Sequence, residues 1–238
     1  MSFSAITQRA SASRGSSDFI AVTFSSGSVV VGKAAFVVVL SRNRATTNGA
    51  SNTHTGLTSI TATNTWVKLG EYTQTSGTIS DGSCLSIWSS IITSQITAGA
   101  DNLRMSFSGI VSRSIMYVFD ASVGAGILGL SLAELGVGQN AYEASVSGLP
   151  SREYLLIGAM GGNSSDTTKT PDADYVERHD VTDQTDLTFA AHIQTRIATL
   201  TDDTCSSTDW TATNPLSLLA AVYEQSNSWN YYAQHRGA

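Results

Sequence analysis

The segment spanning residues 57–120 decides the fold class, because it contains four short stretches of β-type residues with almost no helical pattern between them. They read LTSITATNTWVKLGEYTQT (57–75), LSIWSSIIT (85–93), NLRMSFSG (102–109) and RSIMYVFDA (113–121). Gly, Ser, Asn or Asp separates each stretch from the next, which is the pattern of consecutive antiparallel strands. We therefore predict an all-β protein, an antiparallel β-sandwich of jelly-roll type with little helix.

The neighbouring stretches extend this prediction along the chain. The apolar run AAFVVVLSR (34–42) predicts a strand covered on both faces, at the centre of the core. Residues 121–150 predict two strands with a glycine-bent junction, and residues 188–200 predict a strand although their spacing also fits a helix. No internal repeat is visible, so we expect an N-terminal arm (1–16), one sandwich domain (17–225) and an aromatic tail (226–238).

The composition indicates a surface that is poor in charge. Charged residues make up 13% of the 238, and lysine occurs only at Lys33, Lys68 and Lys169. Lysine commonly protects sheet edges from association, so this scarcity indicates a surface covered by neighbouring subunits. Secreted β domains rich in Ser and Thr share such a composition, and that alternative stays open. The net charge of −6 argues against nucleic-acid binding.

The N-terminal residues and the two cysteines bear on the compartment. MSFSAITQRASASRG has no apolar core, so we expect no secretory signal, and no run is long enough to predict a membrane span. Cys84 and Cys205 could meet as a disulfide, but without a signal sequence we favour free thiols. Their spacing excludes a metal site built on both.

The motifs of common enzymes are absent or incomplete. The sequence GAGILG (124–129) matches GxGxxG, but glycines interrupt the residues after it, so we reject a dinucleotide site. His54, His179, His192 and His235 stand at no metal-ligand spacing, and no serine lies in a GxSxG turn. A hydrolase would need a site assembled from distant residues, and we predict that the protein is not an enzyme.

The polar segment 163–186 is the best candidate for binding a cation. Its carboxylates are oxygen ligands of the kind that Ca²⁺ prefers, and we select Asp172, Asp174, Asp180 and Asp183 as candidates. No EF-hand spacing is present. A solvated loop or an intersubunit contact is the alternative interpretation, and we predict no cofactor.

The tryptophans divide into core and surface candidates. Trp66 and Trp88 lie within predicted strands and are expected in the core. Trp210 and Trp229 lie in polar segments, where an exposed ring could stack on a sugar. They are the candidate residues for binding a glycan.

Several of these segments resemble a family of β-sandwich proteins found in tailed bacteriophages and related prophage regions. The resemblance covers Thr61 with NTWVKL (64–69), SIW (86–88), TAG (97–99), LRMSFS (103–108) and IMYVFD (115–120), and more weakly YLLIG (154–158) and SLLAAVY (217–223). This chain has Ala62 and Thr63 where the family often carries a glycine-bearing turn. The motifs are structural and contain no catalytic residues.

The resemblance implies a virion structural protein, most simply a capsid decoration or cement subunit made in the host cytoplasm. Its partners would be a major capsid or tail protein and copies of itself, with no nucleic acid and no membrane. The expected contact residues lie at the two chain ends: Phe3, Ile6, Arg9, Trp229, Tyr231 and Tyr232. The alternative is a carbohydrate-binding or adhesin module, such as a tail-fibre or receptor-binding domain.

Overall fold

A computed structural model shows an all-β chain. It describes residues 3–25, 27–42, 47–50, 54–75, 82–99, 102–124, 127–139, 141–163, 169–182, 189–208 and 213–226. Within those ranges there are sixteen strands and no helix, and every strand pair is antiparallel. The predicted fold class is confirmed.

The first eight strands form one jelly-roll unit. They are β1 Ser4–Arg14, β2 Ser17–Thr23, β3 Ala34–Arg42, β4 His54–Ser59, β5 Val67–Gln74, β6 Ser83–Ile91, β7 Asn102–Val111 and β8 Arg113–Ser122. One sheet has the order β1-β8-β3-β6-β5 and the other the order β2-β7-β4. This is the jelly-roll order, except that the fifth strand joins the larger sheet.

The last eight strands repeat that arrangement. They are β9 Ile127–Gln139, β10 Glu143–Val146, β11 Arg152–Asn163, β12 Thr170–Pro171, β13 Val176–Thr182, β14 Ala190–Leu200, β15 Asp203–Thr208 and β16 Thr213–Ser226. Their sheets have the orders β9-β16-β11-β14-β13 and β10-β15-β12. Subtracting eight from each label gives the strand order of the first unit, so the chain contains two tandem jelly rolls. The expectation of one sandwich without a repeat is corrected here.

Three hydrophobic cores hold the sheets in four layers. The largest core lies between the two five-stranded sheets and joins the units, and a smaller one lies under each three-stranded sheet. At the joint between the units, Tyr117 stacks on His179 with ring centroids 4.6 Å apart and donates a hydrogen bond to the Arg178 carbonyl at 2.8 Å. The two units therefore share a hydrophobic core and pack directly against each other.

Strand β3 lies at the centre of its sheet, as the apolar run predicted. Residues 34–41 are all buried, since their side chains point alternately into two different cores. Residues 121–150 supply β9 and β10, with Gly129, Gly136 and Gly138 inside β9 and not at the junction. Residues 190–200 form a strand, as expected.

The N-terminal arm is corrected, because Ser4–Arg14 pair with β8 of the same chain. Phe3 is buried in the core between the units, and Ile6 packs against that core. Arg9 forms an ion pair with the buried Asp120. The three predicted partner contacts of the arm are therefore contacts within the chain.

The residues that carried the phage resemblance have structural roles. Trp88 is buried in the first unit's smaller core, and Trp66 packs against that core. The Asn64 amide oxygen accepts hydrogen bonds from the backbone N–H groups of Thr93 and Ser94, each at 2.9 Å. The prediction of a core position is confirmed for Trp88, whereas Trp66 precedes β5 and is half-buried against that core.

Candidate functional site

Five of the residues selected from the sequence lie outside the described part of the chain. They are the calcium candidate Asp183, the glycan candidates Trp210 and Trp229, and the tail residues Tyr231 and Tyr232. The sites built on them stay predictions.

The other three calcium candidates each bind a different partner. The Asp172 carboxylate accepts a hydrogen bond from the Ser206 hydroxyl at 2.9 Å. Asp174 is exposed and pairs with Arg196 at 3.1 Å. Of the three, only Asp180 belongs to a cluster with the composition of a metal site within the described ranges. The predicted calcium site therefore does not form from Asp172, Asp174 and Asp180.

Among the residues that the structure describes there are two clusters of potential metal ligands, one in each unit. The N-terminal cluster consists of His54, Glu71 and Cys84, whose ligand atoms all lie within 4.8 Å of one another. The His54 ring is fully buried and bonds through Nε2 to the Ser41 hydroxyl at 2.8 Å and through Nδ1 to the Ser86 hydroxyl at 2.5 Å. Both ring nitrogens are thus satisfied by serine.

The side chains of Ser41, His54 and Glu71 lie next to one another in the order of a serine hydrolase triad, Ser–His–acid, but all three are buried. The Glu71 carboxylate lies 4.0 Å from His54 Nδ1 and pairs with Lys68 at 2.8 Å. The Ser41 hydroxyl lies on the fully buried part of β3, where no substrate carbonyl could approach it. The N-terminal cluster is therefore a polar network that ties β3, β4, β5 and β6 together.

The C-terminal cluster consists of Glu177, Asp180 and His192, again with all ligand atoms within 4.8 Å of one another. His192 is fully buried, and among the described residues neither of its ring nitrogens has a hydrogen-bond partner. Glu177 is exposed, so the cluster opens to solvent on that side. The buried ammonium of Lys169 lies 3.4 Å from Asp180 Oδ1.

Burial and like charge shift the pKa values in the C-terminal cluster. Burial lowers the pKa of His192 to about 4, with further repulsion from Lys169 and His179. Burial raises the pKa of Glu177, and the neighbouring Asp180 adds to that rise. The pKa of Asp180 is also raised by burial, although Lys169 opposes the shift. Two carboxylates and an imidazole thus lie together beside the buried Lys169 ammonium.

The two clusters share one matching position in the two jelly rolls, that of the carboxylates of Glu71 and Asp180. In each unit the fifth strand has a bulge after its second residue, which aligns Lys68 with Glu177. Counting on from the bulge, Glu71 pairs with Ser86, and Asp180 pairs with His192. A carboxylate therefore stands at the same place in both units, opposite a serine in one and a histidine in the other.

Sequence reasoning missed both clusters because their members meet only across strands. His192 lies far along the chain from Asp180, and only the pairing of β13 with β14 brings them together. No spacing rule for metal ligands covers a cross-strand pair whose register is unknown. The equivalence of the acidic residues on the two fifth strands is visible only once the repeat of the fold is known.

The edges of the large sheets expose apolar side chains. Val67 begins β5 and is 56% exposed, and Val176 begins β13 and is 53% exposed. The two valines occupy matching positions, since each precedes the bulge by one residue. Beside Val176 a groove of about 400 Å³ is lined by Ile6 and Ile197 among others.

Both cysteines are free and buried, as expected. Burial raises the pKa of the Cys205 thiol, and the Gln194 amide donates to its sulfur at 3.0 Å. No helix in the described ranges is long and apolar enough to cross a membrane.

No family model, curated protein or solved structure matches the chain.

Proposed function

We propose that the protein is a structural subunit of a bacteriophage virion, of the capsid decoration or cement type. It acts through contacts with copies of itself and with other virion proteins, and it is made in the host cytoplasm. The observation that carries the proposal is the exposure of Val67 and Val176 at matching places on two sheet edges.

Exposed apolar residues on an edge strand favour association, because the strand also offers unpaired backbone N–H and C=O groups. The tandem repeat places such an edge in each unit. A subunit with two similar contact edges can join a neighbour through each of them. This is a geometry from which arrays or closed rings are built.

The fold and composition support the same proposal. Jelly rolls recur in viral capsid proteins, although they also occur in lectins, so the fold alone is an analogy. The scarcity of lysine leaves the surface with few of the charges that normally prevent association.

The test is the state of association of the purified full-length chain, measured by light scattering and native mass spectrometry over a range of concentrations. We expect oligomers whose dissociation constant rises at least tenfold in the Val67→Asp/Val176→Asp variant. Ile110→Asp is the matched control, because Ile110 is 70% exposed on β7, away from the large sheets' edges. A monomer at every concentration that binds no capsid or tail protein would refute the proposal.

The same samples test the carbohydrate-binding alternative on a glycan array. Binding that disappears in Trp210→Ala or Trp229→Ala, from a chain that stays monomeric, would favour a carbohydrate-binding module.

A further inference from the structure

We propose that Glu177, Asp180 and His192 form a binding site for a divalent transition-metal ion, with Zn²⁺ as the best fit. The site lies in the C-terminal jelly roll, on the face of the large sheet that is turned away from the other unit. It goes beyond the proposed assembly role and does not depend on it.

The ligand set matches the chemistry of zinc. Imidazole nitrogen and carboxylate oxygen are both ordinary Zn²⁺ ligands, whereas Ca²⁺ takes oxygen ligands. With metal–ligand bonds of about 2.0–2.2 Å, two ligand atoms of a tetrahedral ion lie roughly 3.3 Å apart. The three ligand atoms already lie within 4.8 Å of one another, so small side-chain rotations bring them onto one ion.

The state of His192 is the second and independent observation. A fully buried imidazole with no hydrogen-bond partner for either nitrogen among the described residues is unfavourable, because burial removes its water without replacing it. In a neutral imidazole one nitrogen carries a free lone pair, and no hydrogen bond from the described residues competes for it. Coordination would supply a partner to that nitrogen.

The matching cluster in the first unit shows what a closed network looks like. There Ser86 stands where His192 stands in the second unit, and His54 bonds to two serine hydroxyls. That network is satisfied without an ion. His192 occupies the position of Ser86 and not that of His54, and neither of its ring nitrogens has a hydrogen-bond partner among the described residues.

Charge and access also favour a cation. The ligand oxygens of Glu177 and Asp180 lie within 4.8 Å of each other, and an ion between the two carboxylates would relieve the repulsion that they exert when both are ionised. Asp180 can bridge the ion and Lys169, because its Oδ2 already accepts the Lys169 backbone N–H at 2.7 Å. Glu177 is exposed, so one of the three ligands lies at the protein surface.

The experiment is a titration of the purified full-length chain with Zn²⁺ by calorimetry, and with Co²⁺ by visible absorption. We expect one high-affinity ion per chain and a Co²⁺ spectrum of low coordination number. Asp180→Asn and Glu177→Gln should each weaken Zn²⁺ binding at least tenfold, and His192→Gln should abolish it. Glu177 is exposed, so its variant tests the site without disturbing the fold.

Glu143→Gln is the matched control, because Glu143 is an exposed carboxylate on β10 of the same unit, and it should bind Zn²⁺ like the wild type. The proposal is overturned if the wild type binds no stoichiometric Zn²⁺. It is equally overturned if binding is unchanged in Glu177→Gln and Asp180→Asn, or if Ca²⁺ binds this cluster as tightly as Zn²⁺.

Discussion

Replacing Asp120 by asparagine should destabilise the protein by about 3 kcal/mol. Asp120 is fully buried on β8, where its carboxylate accepts one hydrogen bond from Arg9 on β1 and another, at 2.7 Å, from Lys33 just before β3. Asparagine keeps the shape of the side chain and removes its charge. Both cations then lose their counter-charge in a buried setting.

The magnitude follows from these two bonds. A hydrogen bond to a charged group contributes about 1.5–3 kcal/mol, which gives an upper figure near 6 kcal/mol for Asp120. The Arg9 and Lys33 side chains are 13% and 21% exposed, so water partly replaces the lost partner and the lower half of that range applies. For a chain of this size, 3 kcal/mol corresponds to a fall in Tm of about 6–12 °C.

Urea unfolding followed by tryptophan fluorescence measures this change, with thermal unfolding as a second assay. Asp18→Asn is the control, since Asp18 is an exposed carboxylate in the same unit and should change stability by less than about 0.5 kcal/mol. A double-mutant cycle with Arg9→Met should show coupling of at least about 1 kcal/mol. If Asp120→Asn unfolds within about 0.5 kcal/mol of the wild type, the ion pairs do not hold β1 onto its sheet and this reasoning fails.

Three further predictions concern the packing at Gly138 and the two buried cysteines. Gly138→Ala should destabilise the chain by about 2–3 kcal/mol, because the added Cβ would overlap the backbone oxygen of Glu143. The control Gly56→Ala adds its Cβ in open space and should destabilise the chain far less. Equal losses of stability in urea unfolding would contradict this difference in packing. The raised pKa of Cys205 means that the folded chain keeps this thiol proton at pH values where the unfolded chain loses it, so stability should decline as the pH rises above about 9, and it should decline less in Cys205→Ala. At pH 8 neither Cys205 nor Cys84 should react with a thiol reagent before unfolding, and prompt modification of the native chain would contradict their burial.

The fold class could be predicted because the information for it is local. Residues 34–40 are apolar throughout, and the only environment that suits such a strand is one covered on both faces, which is where β3 lies. The prediction of a strand is also correct for residues 190–200. Their apolar spacing fits a helix as well, but sheet partners on both sides make the segment a strand.

The repeat could not be predicted, because the two units match in strand order and not in residue identity. When the two units are aligned on the bulges of β5 and β13, Gln194 is the equivalent of Trp88, and Gly158 is the equivalent of Val37. A bulky indole fills the space in one unit, while in the other a glycine leaves room for the Cys205 sulfur, which a Cβ at Gly158 would overlap. Each core is filled by different side chains, so no repeated sequence is left to detect.

The prediction of a separate N-terminal arm is wrong for a related reason. Its small polar composition predicts disorder when it is considered alone, but a strand at a sheet edge needs few apolar side chains once its backbone is paired. Here Phe3 and Ile6 reach the shared core, and Arg9 finds a buried carboxylate. Neither the pairing with β8 nor the position of Asp120 can be inferred from residues 1–16.

Asp120 and the C-terminal cluster together show how the two units have diverged in their use of buried charge. The position that matches Asp120 in the second unit is Ala221, so the second unit needs no cation there. At the fifth strand both carboxylates have a lysine partner, Glu71 through Lys68 and Asp180 through Lys169. The histidines beside them differ, since the His54 ring bonds to two serines, whereas His192 has no hydrogen-bond partner among the described residues. A buried polar group costs least where its partners come from the chain itself. The first unit supplies such partners at both places, whereas the second unit has alanine at one and, at the other, the histidine for which we propose an ion as partner.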